Sequence, residues 1–310
     1  MLHNKLGPFL VLLLLGFIWG SSFILMKKGL MVFDSLQVAS LRLFFAGLIA
    51  FPYFILYRKS IQRADWKYLA IAGFIGNGFP AFMFSYAIHT GLDSALVGGL
   101  NALTPVFTLL VGLFFFGTSA TLKQLIGLGI GFAGTLILIF NQQQLHSVEF
   151  SLIPFIIVGI ATFFYGININ IIKAKFAHIS PISAGLMPLA MVSLPATAMV
   201  FTTGASEGLV LNQPPVHYVS VLAVLILGVV GTAISLFIFN ALVKKTDALF
   251  ASAVNYLLPF VAFFWGVWDG EIITWLDASA LLFILLGIYL IRNVKQSTAK
   301  NYSFAKTLKS

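Results

Sequence analysis

The chain has 310 residues, 60% of them hydrophobic and only 9% charged, with a mean hydropathy of +1.01. So few charges cannot cover a soluble domain of this size, and lipid must be the solvent for much of the surface. The absence of cysteine excludes disulfides and thiolate metal sites, and the net charge of +9 would suit nucleic acid only if it were gathered on one face.

At roughly twenty residues per crossing, the apolar runs predict ten spans, at 8–26, 35–57, 68–89, 94–116, 124–140, 152–172, 181–203, 217–243, 248–268 and 278–292. The first, PFLVLLLLGFIWGSSF after Lys5, resembles a secretory signal. It is too long, lacks a small-x-small cleavage site and runs straight into further spans, so it reads as a retained helix. Its Gly16 and Gly20 form a GxxxG packing face, and Trp19 and Ser22 lie in its second half. In the second span Arg42 sits about two turns in from the outer surface. An arginine at that depth costs about 2.5–3.5 kcal/mol on insertion scales. It either snorkels to the headgroups, pairs with helix-end carbonyls or faces a water-filled cavity.

The third span carries Gly73, Gly76, Asn77, Gly78 and Pro80 at its middle. Pro80 removes one helical hydrogen bond, so a discontinuity is expected, of a kind tolerated only beside neighbours or a cavity that satisfy the backbone. His89 falls near the outer interface, while Asn101, Thr104, Pro105 and Thr108 fall in the fourth span. Gly127, Gly129, Gly131 and Gly134 of the fifth read as packing, and NQQQLHSVE after it as a polar hinge. The sixth span aligns Thr162, Tyr165 and Asn168 on one stripe. Thr232, Ser235 and Asn240 lie in the eighth, and Asn255, Tyr256 and Pro259 in the ninth, which ends on Trp265 and Trp268 as expected interface anchors. The tenth is featureless.

One segment occurs twice. Ala87, Asp93, Asn101 and Pro105 recur at the same spacing as Ala241, Asp247, Asn255 and Pro259, and Trp19-Gly20 with Lys27 is matched by Tyr165-Gly166 with Lys173. In this register Tyr86 aligns with Asn240. The duplication predicts an all-α integral membrane protein of ten transmembrane helices in two five-helix repeats, 1–141 and 152–294, joined by a hinge at 142–151 and followed by a basic tail at 295–310. Because five is odd, the two repeats must be inverted in the membrane, the arrangement from which alternating access follows. With the N-terminus in the cytoplasm, every Lys and Arg but Lys27, Lys28 and Arg42 falls inside. The positive charge is therefore a topology signal, with both termini cytoplasmic, and not a nucleic-acid footprint.

Asn101 and Asn255 are the sharpest candidate pair, since a lone amide in hydrocarbon must find a partner or water; interhelical glue and a cargo site both satisfy that need. Asp93 and Asp247 stand at first turns, where an acid caps N–H groups and complements the helix dipole. No other acid lies inside a span, so a coupling ion such as the proton has no residue assigned to it. Metalloprotease, phosphate-loop and Ser/His motifs are absent, so no enzymatic activity and no cofactor or metal is expected. The candidate substrate-binding set is Trp19, Ser22, Arg42, Asn77, Tyr86, Asn101, Tyr165, Asn168, Asn240 and Asn255, of uncharged, aromatic-plus-amide character apart from the one arginine.

WGSSF at 19–23, Arg42, the Ala87–Pro105 segment and its copy at 241–259 together resemble the drug/metabolite transporter superfamily, in its ten-helix EamA-type branch, over about residues 8–293. That family tends to place Gly-Glu after the fourth and ninth spans. Glu271 of DGE keeps the second, while Gly117-Thr118 offers no acid at the first. The resemblance implies two inverted repeats around a central cavity in the cell inner membrane, and export or exchange of small solutes such as amino acids, metabolites or drugs. A lipid-linked carrier flippase of the same fold, or a non-transporting receptor or assembly subunit, are the alternatives.

Overall fold

The computed structural model describes residues 7–117, 121–145, 151–209, 215–245 and 253–292, and among these every regular element is helical. Seven helical segments are long and apolar enough to cross a membrane and three more are shorter apolar helices, which accounts for the ten predicted spans. Asp247 and Ser252 lie outside the described residues.

Helices α1 (Gly7–Gly29) and α2 (Ser35–Tyr57) have 23 residues each, or about 35 Å at 1.5 Å per residue, enough for the hydrocarbon core. A capping box starts α2: Gln37 N donates to Asp34 Oδ1 at 2.8 Å and Asp34 N donates to Gln37 Oε1 at 3.0 Å. The third span is α3 (Trp66–Gly73) and α4 (Phe79–His89) joined by a π-helical turn at Phe74–Gly78. The cause is the expected one: Pro80 has no N–H to give the carbonyl of Gly76, so the helix widens just before it.

The fourth span breaks into α5 (Ser94–Asn101) and α6 (Thr104–Phe115). Pro105 cannot donate to the Asn101 carbonyl, and Thr104 Oγ1 takes that carbonyl instead at 2.8 Å. Then follow α7 (Leu122–Leu145), α8 (Ile153–Lys175) and α9 (Pro181–Thr202). The eighth span is α10 (Pro215–Gly228), a π turn at Val229–Ile234 and α11 (Ser235–Lys245). No proline causes this second π turn; Thr232 Oγ1 donates to the Leu227 carbonyl five residues back, at 2.9 Å, and holds it open. A 3-10 turn, Ala253–Tyr256, leads into α12 (Leu258–Trp268), with Pro259 again just inside the new helix, and α13 (Trp275–Arg292) ends the described chain. The Asn-x3-Pro spacing thus marks a helix break in both halves.

Close packing follows the glycines. A Cβ on Gly16 or Gly20 would lie 2.5 Å from Leu257 or Val261, which is why α1 can press against the start of α12. Fully buried Leu15, Met26, Leu41 and Leu227 fill the interior, while Phe9, Leu13, Phe17, Phe132 and Leu282 point outward to lipid. Helices α7 and α13 pack on each other at the edge of the bundle. There a Cβ on Gly287 would sit 2.5 Å from the Gly127 carbonyl and the Gly131 nitrogen. Gly287→Val should therefore force the pair apart and lower the thermal midpoint of the detergent-purified protein, as overpacking of about 1–3 kcal/mol would. Transport by the reconstituted variant should stay near wild type, because the cavity described below touches neither helix.

Three expectations change. The tenth helix begins at Trp275, ahead of the predicted 278–292, and so takes in Asp277, which is fully buried; Asn141 Nδ2 donates to its Oδ1 and to Thr274 Oγ1, both at 2.8 Å. Helix α7 runs on to Leu145, so the first part of the polar hinge is helical. Trp265 is not simply an interface anchor, since its Nε1 donates to Ser21 Oγ at 2.8 Å and ties α12 to α1, whereas Trp268 is 77% exposed.

Candidate functional site

Every interruption of the helices meets at one place. The two π turns and the breaks of the fourth and ninth spans surround a central cavity of about 900 Å³, counting its open mouth. That is room for a small organic solute. Helix α1 contributes Trp19, Ser22 and Met26, and α2 contributes Arg42. The π turn of the third span adds Gly76 and Asn77, the fourth-span break adds Asn101 and Thr104, and α8 adds Tyr165 and Asn168. Thr232, Asn240 and Asn255 complete the wall from the later spans. Backbone groups freed by broken helices are tolerated at membrane depth only where they line such a space.

Nine of the ten candidate residues line this cavity. Tyr86 does not; it is 41% exposed on α4. Asn240, which the repeat aligns with it, is buried and does line the cavity, so the two copies differ at this position.

Arg42 neither snorkels to the surface nor meets an acid among the described residues. Its Nε donates to Thr232 Oγ1 at 2.9 Å, its terminal nitrogen lies 4.0 Å from Met26 Sδ, and Tyr165 is within electrostatic reach. Among the described residues no Asp or Glu lines the cavity, so the described wall offers an anion one guanidinium with no carboxylate beside it. Trp19 spends its Nε1 on Ser235 Oγ at 2.8 Å and sets its ring 5.0 Å from Phe239, so only its ring face remains for the cavity. Asn101 Oδ1 accepts from Thr104 Oγ1 at 3.2 Å, and Asn240 Nδ2 donates to the Leu236 carbonyl at 2.8 Å. Asn168 Oδ1 is different: among the described residues it is the one buried side-chain oxygen or nitrogen with no hydrogen-bond partner.

Where α1 ends, a charge cluster closes the bundle. Lys27 Nζ lies 2.7 Å from Glu271 Oε1 and 2.8 Å from Asp269 Oδ2, and Lys28 also pairs with Asp269. Glu271 is almost wholly buried. Its Oε1 accepts from Ser94 N at 3.1 Å and Ser94 Oγ at 2.6 Å, and its Oε2 accepts from Ala95 N at 3.0 Å. The first N–H groups of α5 are therefore capped from the other half of the chain, whereas the sequence assigned that role to Asp93, whose side chain makes no cap bond. Burial alone would raise the Asp269 carboxyl, but hydrogen bonds and attraction from Lys27 and Lys28 outweigh it and hold it below its ordinary value. At the opposite end Asp65 Oδ2 meets His178 Nε2 at 2.9 Å, and Tyr53 OH meets Ser183 Oγ at 3.0 Å. Sequence reasoning singled out Glu271 through the family resemblance and Lys27 through the repeat, but did not group them with Lys28 and Asp269; that all four fall on one predicted side of the membrane was the signal that could have done so.

A cavity walled by interrupted spanning helices, with ties between distant parts of the chain at both ends, defines a membrane transporter. The chain belongs to the EamA-like transporter family, which it matches over residues 6–140 and 152–293. It is 26% identical to a probable amino-acid metabolite efflux pump of Salmonella typhimurium, over 93% of this chain and 95% of that protein. It is 25% identical to the uncharacterized transporter YoaV of Bacillus subtilis, over 80% and 84% of the two chains. A third relative at 25% identity is the uncharacterized inner membrane transporter YedA of Escherichia coli, over 88% and 87%. One solved crystal structure superposes with a TM-score of 0.60 at 15% identity, over 93% of this chain and 98% of its own, a likeness of fold.

Proposed function

We propose that the protein exports small organic solutes bearing a carboxylate across the cell inner membrane by alternating access, the two halves 1–141 and 152–294 acting as inverted repeats with both termini in the cytoplasm. The observation that carries this is the cavity itself: it draws its wall from both halves and, among the described residues, holds one arginine and no acid. In hydrocarbon a buried charge needs a partner, and a carboxylate cargo supplies it. The name of the Salmonella relative, an amino-acid metabolite efflux pump, points the same way. So do Pro105 and Pro259, each just inside a new helix and each preceded by a cavity asparagine, Asn101 or Asn255.

Reconstitution into liposomes tests it. Counterflow of labelled amino acids and other small carboxylates, with and without an imposed pH gradient, should reveal saturable exchange of carboxylates and none of the matched amides. Exchange confined to uncharged or cationic solutes would defeat the reading. Asn101→Leu and Asn255→Leu, each removing a cavity amide, should lower exchange about ten- to hundredfold while the protein still inserts and purifies as a folded monodisperse species. Unchanged exchange would make both amides interhelical glue.

A further inference from the structure

Arg42 accounts for one end of a cargo; Asn168 accounts for another. Tyr165 and Asn168 are three residues apart on α8, hence neighbours on one helix face, and Tyr165 lies within electrostatic reach of Arg42. Arg42, Tyr165 and Asn168 therefore follow one another along the cavity wall. The Asn168 carboxamide lies flat against Gly76 in the π turn of the third span. A Cβ there would overlap its amide nitrogen and come within 2.5 Å of Cγ. Glycine at 76 is thus what leaves the amide its place. Lodged there, the amide keeps a buried acceptor, Oδ1, that nothing in the described chain satisfies. A buried acceptor left without a donor is destabilising, and this one belongs to a side chain in the wall of the transport cavity.

We propose that Asn168 is a specificity-determining residue: its Oδ1 accepts a hydrogen bond from an N–H of the cargo whose carboxylate Arg42 binds, so that amino-carboxylates are selected over carboxylates that lack the nitrogen. This rests on the carboxylate-carrier reading above and adds the second contact. An acceptor that is buried and unpaired discriminates strongly, because a cargo without a donor leaves it unsatisfied in the loaded state. Gly76 acts through Asn168 as a positioning residue, keeping the acceptor at its fixed height beside Asn77.

The test uses the full-length protein in liposomes and three matched pairs: leucine with 4-methylpentanoate, phenylalanine with 3-phenylpropanoate, and threonine with 3-hydroxybutanoate. Wild type should exchange the amino member of at least one pair about ten- to hundredfold faster than its partner. Asn168→Ala should reduce that preference to within about threefold, with exchange of the des-amino member retained, which shows that the variant is folded. Gly76→Ala, which keeps Asn168 but displaces its amide, should do the same. A wild-type protein that exchanges both members of each pair equally overturns this inference and leaves the carboxylate reading standing. One that exchanges no member of any pair overturns both, and a preference that survives in Asn168→Ala or in Gly76→Ala overturns the role of this acceptor.

Discussion

Replacing Arg42 with methionine is expected to lower carboxylate transport by two to three orders of magnitude while leaving the folded protein at least as stable as wild type. The two effects have one origin. Among the described residues the guanidinium is held, in the absence of cargo, only by Thr232 Oγ1 at 2.9 Å and a sulfur contact, with no acid in the cavity wall. Inserting such a charge costs about 2.5–3.5 kcal/mol, and a methionine of similar length avoids that cost. With cargo bound, the balance reverses: removing one partner of a buried ion pair costs about 3–5 kcal/mol because the other charge is stranded, which is at least a hundredfold in rate or affinity. Lysine should not rescue fully. It keeps the charge but cannot donate to Thr232 while offering a fork of two parallel N–H groups to a carboxylate. Initial exchange rates and thermal midpoints on the same preparations decide the matter. If Arg42→Met transports normally, the arginine is a packing residue; if it unfolds the protein, the arginine is a structural pin. Neither outcome is compatible with a docking role.

The repeated Asn-x3-Pro spacing was legible because proline acts locally: it removes a named hydrogen bond wherever it stands, so both helix breaks follow from four residues each. Gly16 and Gly20 were legible for the same reason, as was the third-span discontinuity before Pro80. Positions that depend on cumulative helix rotation were not. Tyr86 shares its place in the repeat with Asn240, yet only Asn240 faces the cavity, and no residue in VVGTAI announces the π turn before it. Thr232 stood out only as a polar residue in an apolar run; its two jobs, holding the π turn and receiving Arg42, depend on α2 lying beside it. Asn168 could be placed on a stripe with Tyr165, but that its oxygen lacks a partner is a property of everything packed around it. Glu271 was noted through the family resemblance alone, without the partners that bury it. A carboxylate in a short loop looks like a surface group, and only the tertiary approach of α1 and α5 buries it.

Glu271→Ala should open the end of the bundle where α1 finishes, the outer end in the orientation proposed above. Glu271 accepts two backbone N–H bonds and a hydroxyl bond from Ser94 and Ala95 while pairing with Lys27, and so links α1, α5 and the loop after α12 through one side chain. Losing it strands the first N–H groups of α5 and leaves Lys27 with Asp269 alone, a loss of about 3 kcal/mol or more. If that end must separate for cargo to leave, the same energy shifts the equilibrium between closed and open outer states by about a hundredfold. The chain has no cysteine, so Ser22→Cys places a single thiol in the cavity wall. A membrane-impermeant thiol reagent added from outside should label it slowly in an otherwise wild-type protein and about a hundred times faster when Glu271→Ala is added. Acid should not substitute for the mutation. The Asp269 carboxyl is held below its ordinary value; a depressed value means that the stabilisation is present above the unfolded pKa and is lost only as pH falls through the lower folded one. Relative to a free thiol labelled at the same pH, whose thiolate fraction falls with pH, the labelling rate should therefore stay flat between about pH 5 and 8. Exchanging the charges, Lys27→Glu with Glu271→Lys, should not restore slow labelling, because a lysine cannot accept the N–H groups of Ser94 and Ala95. Fast labelling in the parent protein, or slow labelling with Glu271→Ala and only a lower thermal midpoint, would reduce the cluster to a helix cap with no part in gating.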